Sequence, residues 1–139
     1  MNLLFHNLFR YHDAGLLFYR IVFGASMMAH GYFKFAGGSK TLYAIGSTLA
    51  QFGVPDGFLL LGTLAAAFEM IGGFLLIIGF LSRLGALMII GTLLVATLAA
   101  FDSGFFKWDY PSQMMFGAIL LFIAGPGRYS IDSVFVKKR

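Results

Sequence analysis

The feature that most constrains this chain is one carboxylate in the middle of an apolar run. Residues 57–81 carry no charge apart from Glu69, which sits within the stretch LAAAFEMIGGFLLIIGFLSR, residues 64–83. A helix of that length spans a bilayer, and Glu69 would then lie near the midplane. An ionisable group at such a depth costs about 3 kcal/mol on insertion scales unless it is protonated, paired or wetted. Gly72 and Gly73 follow at i+3 and i+4, so the acid and a flat surface share one helix face. A neighbouring backbone or a flat ligand packs well on such a surface.

Composition agrees with a membrane chain. Of the 139 residues, 59% are hydrophobic and 12% charged, with a mean hydropathy of +0.84. Soluble domains carry roughly a quarter charged residues. The length fits one domain, residues 1–139, and no linker, low-complexity segment or repeat divides it. The net charge of +4 is spread over loops and ends, without the interleaved aromatics of a nucleic-acid surface, so nucleic acid is not an expected partner. The absence of cysteine excludes thiol–disulfide chemistry, thiolate metal sites and cysteine-ligated clusters within this chain. Arg10, His12 and Asp13 precede the first apolar run and Arg20 interrupts it, a pattern unlike a cleaved signal.

Periodicity predicts an all-α membrane protein: a four-helix transmembrane bundle with spans at about residues 14–35, 57–81, 84–101 and 107–124. Short amphipathic interfacial helices are expected at residues 2–12 and 40–52, the second with Ser39 as its N-cap and Gly53 and Pro55 ending it. His6 and His12 read as solvated. Ser82 and Arg83 are expected to form a tight turn. The third span is free of charge, and its small residues, Gly85, Ala86, Gly91, Thr92, Ala96 and Thr97, read as packing surfaces. Trp108 and Tyr110 fit an aromatic belt.

Four spans put both ends on the side of the Ser82 and Arg83 turn. That side holds Arg10, Arg83, Arg128, Lys137, Lys138 and Arg139, against Lys34, Lys40 and Lys107 on the other, which favours cytoplasmic termini. Arg20, Met27 and Lys34 fall on one stripe of the first span, with His30 beside it, and should face the bundle interior. Counting helical rise places Arg20 about 7 Å to one side of Glu69 and His30 about 8 Å to the other. An Arg20–Glu69 pair is therefore expected, either as a lock between two helices or, with His30 and Lys34, as a polar pocket for a ligand or a proton. One membrane histidine is too few for bis-histidine haem ligation. Ser26 near His30 lacks a carboxylate for a hydrolytic triad. No catalytic residue and no metal site is expected.

Three motifs, in order, resemble the DoxX family of small bacterial membrane proteins: RIVFGASMMAHGYFK from Arg20 to Lys34, EMIGGFLLIIGFLSR from Glu69 to Arg83, and GPGRYSID over residues 125–132. The resemblance covers about residues 15–132. It implies a multi-pass protein of the bacterial inner membrane, and it marks Arg20, His30, Gly31, Lys34, Glu69, Gly72, Gly73 and Arg83 as characteristic positions. Related DoxD-type proteins are subunits of a thiosulfate:quinone oxidoreductase, and other relatives are linked to oxidative-stress complexes or resemble assembly chaperones. In the closing motif, Gly125, Pro126 and Gly127 stop the last helix, Arg128 complements its C-terminus, and Ser130 and Asp132 belong to the same structural turn.

Two functions lead at this level, ahead of a small transporter, for which one bundle of this size offers no inverted repeat although a dimer could. One is a subunit of a membrane redox system that binds a quinone in a pocket of Arg20, His30, Lys34 and Glu69 floored by Gly72 and Gly73. Nothing in the chain carries electrons, so a partner subunit would supply the redox centre, and no covalently bound cofactor is expected. The other is a non-catalytic scaffold or assembly chaperone that binds a protein or lipid. Glycine-rich faces also suit a homodimer.

Overall fold

The computed structural model describes residues 11–136. The interfacial helix expected at residues 2–12 and the basic tail at residues 137–139 fall outside these residues, apart from Tyr11 and His12. Among the described residues the chain is all-helical, without strands. Helix α1 is His12–Ala36, α2 Gly38–Ser47, α3 Phe58–Ile78, α4 Ser82–Ala100, α5 Phe105–Ala124 and α6 Ile131–Val136. Among the described residues, two segments are long and apolar enough to cross a membrane, Phe58–Ile78 and Ser82–Ser103.

Helix α3 is the axle of the fold. It packs on α1, α2 and α4, and α4 packs in turn on α5. Glycines set the three crossings made by α3. A Cβ on Gly24 would lie 2.7 Å from the carbonyl oxygen of Gly73, and one on Gly31 would lie 2.6 Å from that of Ala66. On the other side of α3, a Cβ on Gly72 would lie 2.7 Å from the carbonyl oxygen of Gly85. Gly46 and Gly62 face each other where α2 meets α3, with no room for a side chain on either. Such contacts bring backbones together and replace lipid with dense protein packing.

The same contacts fix direction. Gly24 meets Gly73 and Gly31 meets Ala66, so α1 and α3 run antiparallel. α1 and α5 are also antiparallel: His30 reaches Tyr110, Tyr19 and Phe23 lie against Gly117, and Arg20 reaches Pro126. The four long helices thus alternate up and down around a core of Phe23, Met27, Leu76, Ala86, Ile89, Leu93, Ala118 and Leu121. Pro111 is the seventh residue of α5, where one missing N–H opens the helical ladder.

Three connections differ from the sequence reading. Ser39 is not a cap: α2 starts at Gly38, with Gly37 before it, and Gly38 itself takes φ +72° to bend the chain. The segment continues as a 3-10 turn, Thr48–Phe52, ended by Gly53 at φ 86°. The α3–α4 turn lies at Gly79, Phe80 and Leu81, and Ser82 already belongs to α4. Leu81 has φ 46°, a left-handed conformation that costs an L-residue roughly 1–2 kcal/mol.

That turn is held from far along the chain. The Asp132 carboxylate accepts from the N–H groups of Leu81 at 2.8 Å and Ser82 at 3.0 Å, and the Asp132 N–H donates to the Gly79 carbonyl at 2.9 Å. Asp132 therefore satisfies the free N–H groups that open α4, as a local N-cap would.

Candidate functional site

Arg20 and Glu69 belong to two separate polar clusters, one against each half of α1. The expected Arg20–Glu69 pair is not formed. Arg20 is 2% exposed and donates through Nη1 to the carbonyl of Pro126 and through Nη2 to that of Tyr129, at 2.7 Å. Its guanidinium also lies against Gly79, where any Cβ would collide with it. The register of α1 and α3 separates Arg20 from Glu69. The crossings place Glu69 opposite residues near 29 of α1, about nine residues and roughly 13 Å of helical rise from Arg20.

Around Arg20 the closing motif forms a clasp. Gly125 ends α5 at φ 77°, and Gly127 turns back at φ 72°. Ser130 Oγ donates to the Gly127 carbonyl at 2.7 Å, and the Arg128 N–H donates to Asp13 of α1 at 3.0 Å. Arg128 thus contributes its backbone, while it is the Arg83 guanidinium that lies beside Gly125 at the C-terminus of α5. A cation there is favoured by the helix dipole. Arg20 Nε and Ser82 Oγ are buried without a hydrogen-bond partner among the described residues.

The second cluster contains Glu69. Lys34 Nζ lies 2.5 Å from Glu69 Oε1, the ion pair of α1 with α3. Glu69 is 3% exposed, whereas the Lys34 side chain is 24% exposed. Glu69 Oε2 has no partner among the described residues. One turn before Lys34, His30 Nε2 lies 2.9 Å from the Tyr110 hydroxyl of α5 and is itself exposed. His30 therefore joins α1 to α5, and Lys34 joins α1 to α3.

Lys34 also lines a groove of about 810 Å³ between α3 and α4, closed at one end by the last turn of α2 and the 3-10 turn through Thr48 and Leu49. Its walls are largely apolar: Leu61, Leu64 and Phe68 come from α3, while Gly91, Val95 and Ala96 come from α4. Gly72 and Gly73 do not floor it, because the backbones of α4 and α1 occupy them. The small residues of α4 divide in a way periodicity alone does not reveal. Gly85 and Ala86 pack inward, whereas Gly91, Thr92 and Ala96 face the groove. The Lys34 ammonium has three N–H donors and spends one on Glu69, so it retains donors for an acceptor placed in the groove. Among the described residues, no group of three or more His, Asp or Glu side chains is arranged to hold a metal ion.

The family model described as DoxX matches residues 15–102, more than half of the chain. The chain therefore belongs to the DoxX family. No curated protein and no solved structure matches it.

Proposed function

We propose that this member of the DoxX family crosses the bacterial inner membrane four times and binds a quinone, or a similar lipid-soluble carbonyl compound, in the groove between α3 and α4. Four crossings are supported by the alternation of the four long helices. At 25 and 20 residues, α1 and α5 have the length to span, and the charged Arg20 and Lys34 of α1 are turned inward onto other helices. With four crossings both ends share one side, and its six basic residues, against Lys34, Lys40 and Lys107 on the other, favour the cytoplasm for it.

The observation that carries the ligand reading is Lys34, an ammonium that is fixed by a buried carboxylate and also lines an apolar groove. The pair is neutral as a unit. A neutral acceptor such as a quinone carbonyl would take a hydrogen bond from Lys34 without adding net charge at this depth. Glu69 holds the ammonium in place, and its free oxygen is a hydrogen-bond acceptor beside it. A bound quinone supplies two-electron redox chemistry. The chain itself offers a donor, a buried acceptor and an apolar wall, so electrons would come from a partner subunit.

Titration of a short-chain benzoquinone onto the full chain in nanodiscs tests this reading. Saturable binding that Lys34→Met abolishes is expected. No binding by the wild type would leave the scaffold or chaperone role, with a protein or lipid partner, as the better account.

A further inference from the structure

The groove also indicates how such a ligand reaches Lys34. The α3–α4 crossing puts Gly72 against Gly85 and Ile89. Extending that antiparallel register places Gly91 and Thr92 at the level of Glu69, and hence of the Lys34 ammonium 2.5 Å from it. At this level Gly91 is exposed, and a Cβ built on it would meet no atom within 4 Å. It is the one glycine of α4 that does not serve a helix crossing. Beside it, Leu87 lies one turn away on α4, with Leu64 and Phe68 opposite on α3, all exposed and all lining the groove. Both helices have the length and hydropathy of membrane spans, so residues exposed at mid-helix face lipid rather than water. The end of the groove nearer the α4 C-terminus is covered by Thr48 and Leu49.

We infer that Gly91 is the sill of a lateral portal. A membrane-dissolved ligand, with an acceptor head group and a long isoprenoid or alkyl tail, enters between α3 and α4 across Gly91 and leaves its tail in the bilayer. The absence of a side chain at Gly91 sets the width of the head group admitted. This rests on the ligand reading above and adds the route and the size limit.

The test is a series at this position in the full chain in nanodiscs: Gly91→Ala, Gly91→Leu and Gly91→Trp, with Leu94→Trp as the control. Leu94 is exposed on the same helix but does not line the groove, so Leu94→Trp places the same indole away from the portal. The probe is a decyl-tailed benzoquinone, followed by stopped-flow association. Wild type and Leu94→Trp are expected to associate alike, Gly91→Ala within about threefold, and Gly91→Trp at least tenfold more slowly, with Gly91→Leu between them. Equal rates for wild type and Gly91→Trp would overturn the portal while leaving the ligand site intact. No binding by the wild type would overturn the ligand site, and the portal with it. Should Gly91→Trp fail to fold, the Gly91→Leu and Leu94→Trp comparison carries the same decision.

Discussion

Lys34 of α1 and Glu69 of α3 form an ion pair at 2.5 Å in which the acid is almost wholly buried and the base borders an apolar groove. Breaking one side of such a pair strands a charge, whereas replacing both sides with apolar residues does not. Lys34→Met alone is expected to lose about 3 kcal/mol of stability. The double variant Lys34→Met/Glu69→Leu should recover most of that loss and still bind no quinone. Denaturation in detergent, read by circular dichroism, checks the stability half of this expectation.

Arg20 makes the opposite cluster a mechanical joint. Its two hydrogen bonds to Pro126 and Tyr129 tie the first long helix to the segment after the last one. Arg20→Met leaves two carbonyls without their charged donor, a loss of about 3 kcal/mol. Limited proteolysis should then cut within residues 125–136 far faster than in the wild type. Ligand affinity of the fraction that remains folded should be unchanged, because the groove lies elsewhere.

Asp132 does for α4 what a local cap does for other helices, and it also holds Leu81 in its left-handed conformation. Asp132→Ala is expected to cost about 1–2 kcal/mol. Leu81→Gly removes the strain and should recover about 1 kcal/mol in that background. Thermal melts of the two variants and their combination test this directly.

The glycines of α3 make a further contrast. Gly72→Leu and Gly73→Leu place a side chain where a neighbouring backbone already sits, so neither protein should reach a folded, monodisperse state. Gly91→Ala adds its methyl to open space and should be as stable as the wild type or up to about 1 kcal/mol more so, since Ala is the better helix former. Size-exclusion profiles and melts in one detergent distinguish these outcomes.

Much of this architecture is legible in the sequence, but partners are less so than faces. Periodicity puts Arg20, Met27 and Lys34 on an inward stripe with His30 beside it. Arg20 and Met27 are buried and Lys34 partly so, whereas His30 is exposed because it sits at the edge of the stripe, towards Tyr110. Periodicity does not give the offset between α1 and α3. That offset is fixed by Gly24 on Gly73 and Gly31 on Ala66, and it hands Glu69 to Lys34 instead of Arg20. Small residues announce close packing without saying what packs there. Gly72 and Gly73 read equally well as a ligand floor and as helix crossings, and Gly91 reads as packing although it faces a groove. The role of Asp132 is invisible locally, because the helix it caps begins fifty residues earlier. Tyr110 reads as belt aromatic from its position beside Trp108, and its hydrogen bond to His30 appears only once α1 and α5 are paired.

The most direct measurement is mass spectrometry of the lipids that accompany the protein through gentle purification, with wild type compared against Lys34→Met/Glu69→Leu. The double variant is expected to keep the bundle folded while removing both the ammonium and the carboxylate from the site. A quinone enriched with the wild type and absent from the variant is the expected result. The same phospholipids in both samples, or a quinone retained by the variant, would contradict a ligand site at Lys34 and Glu69.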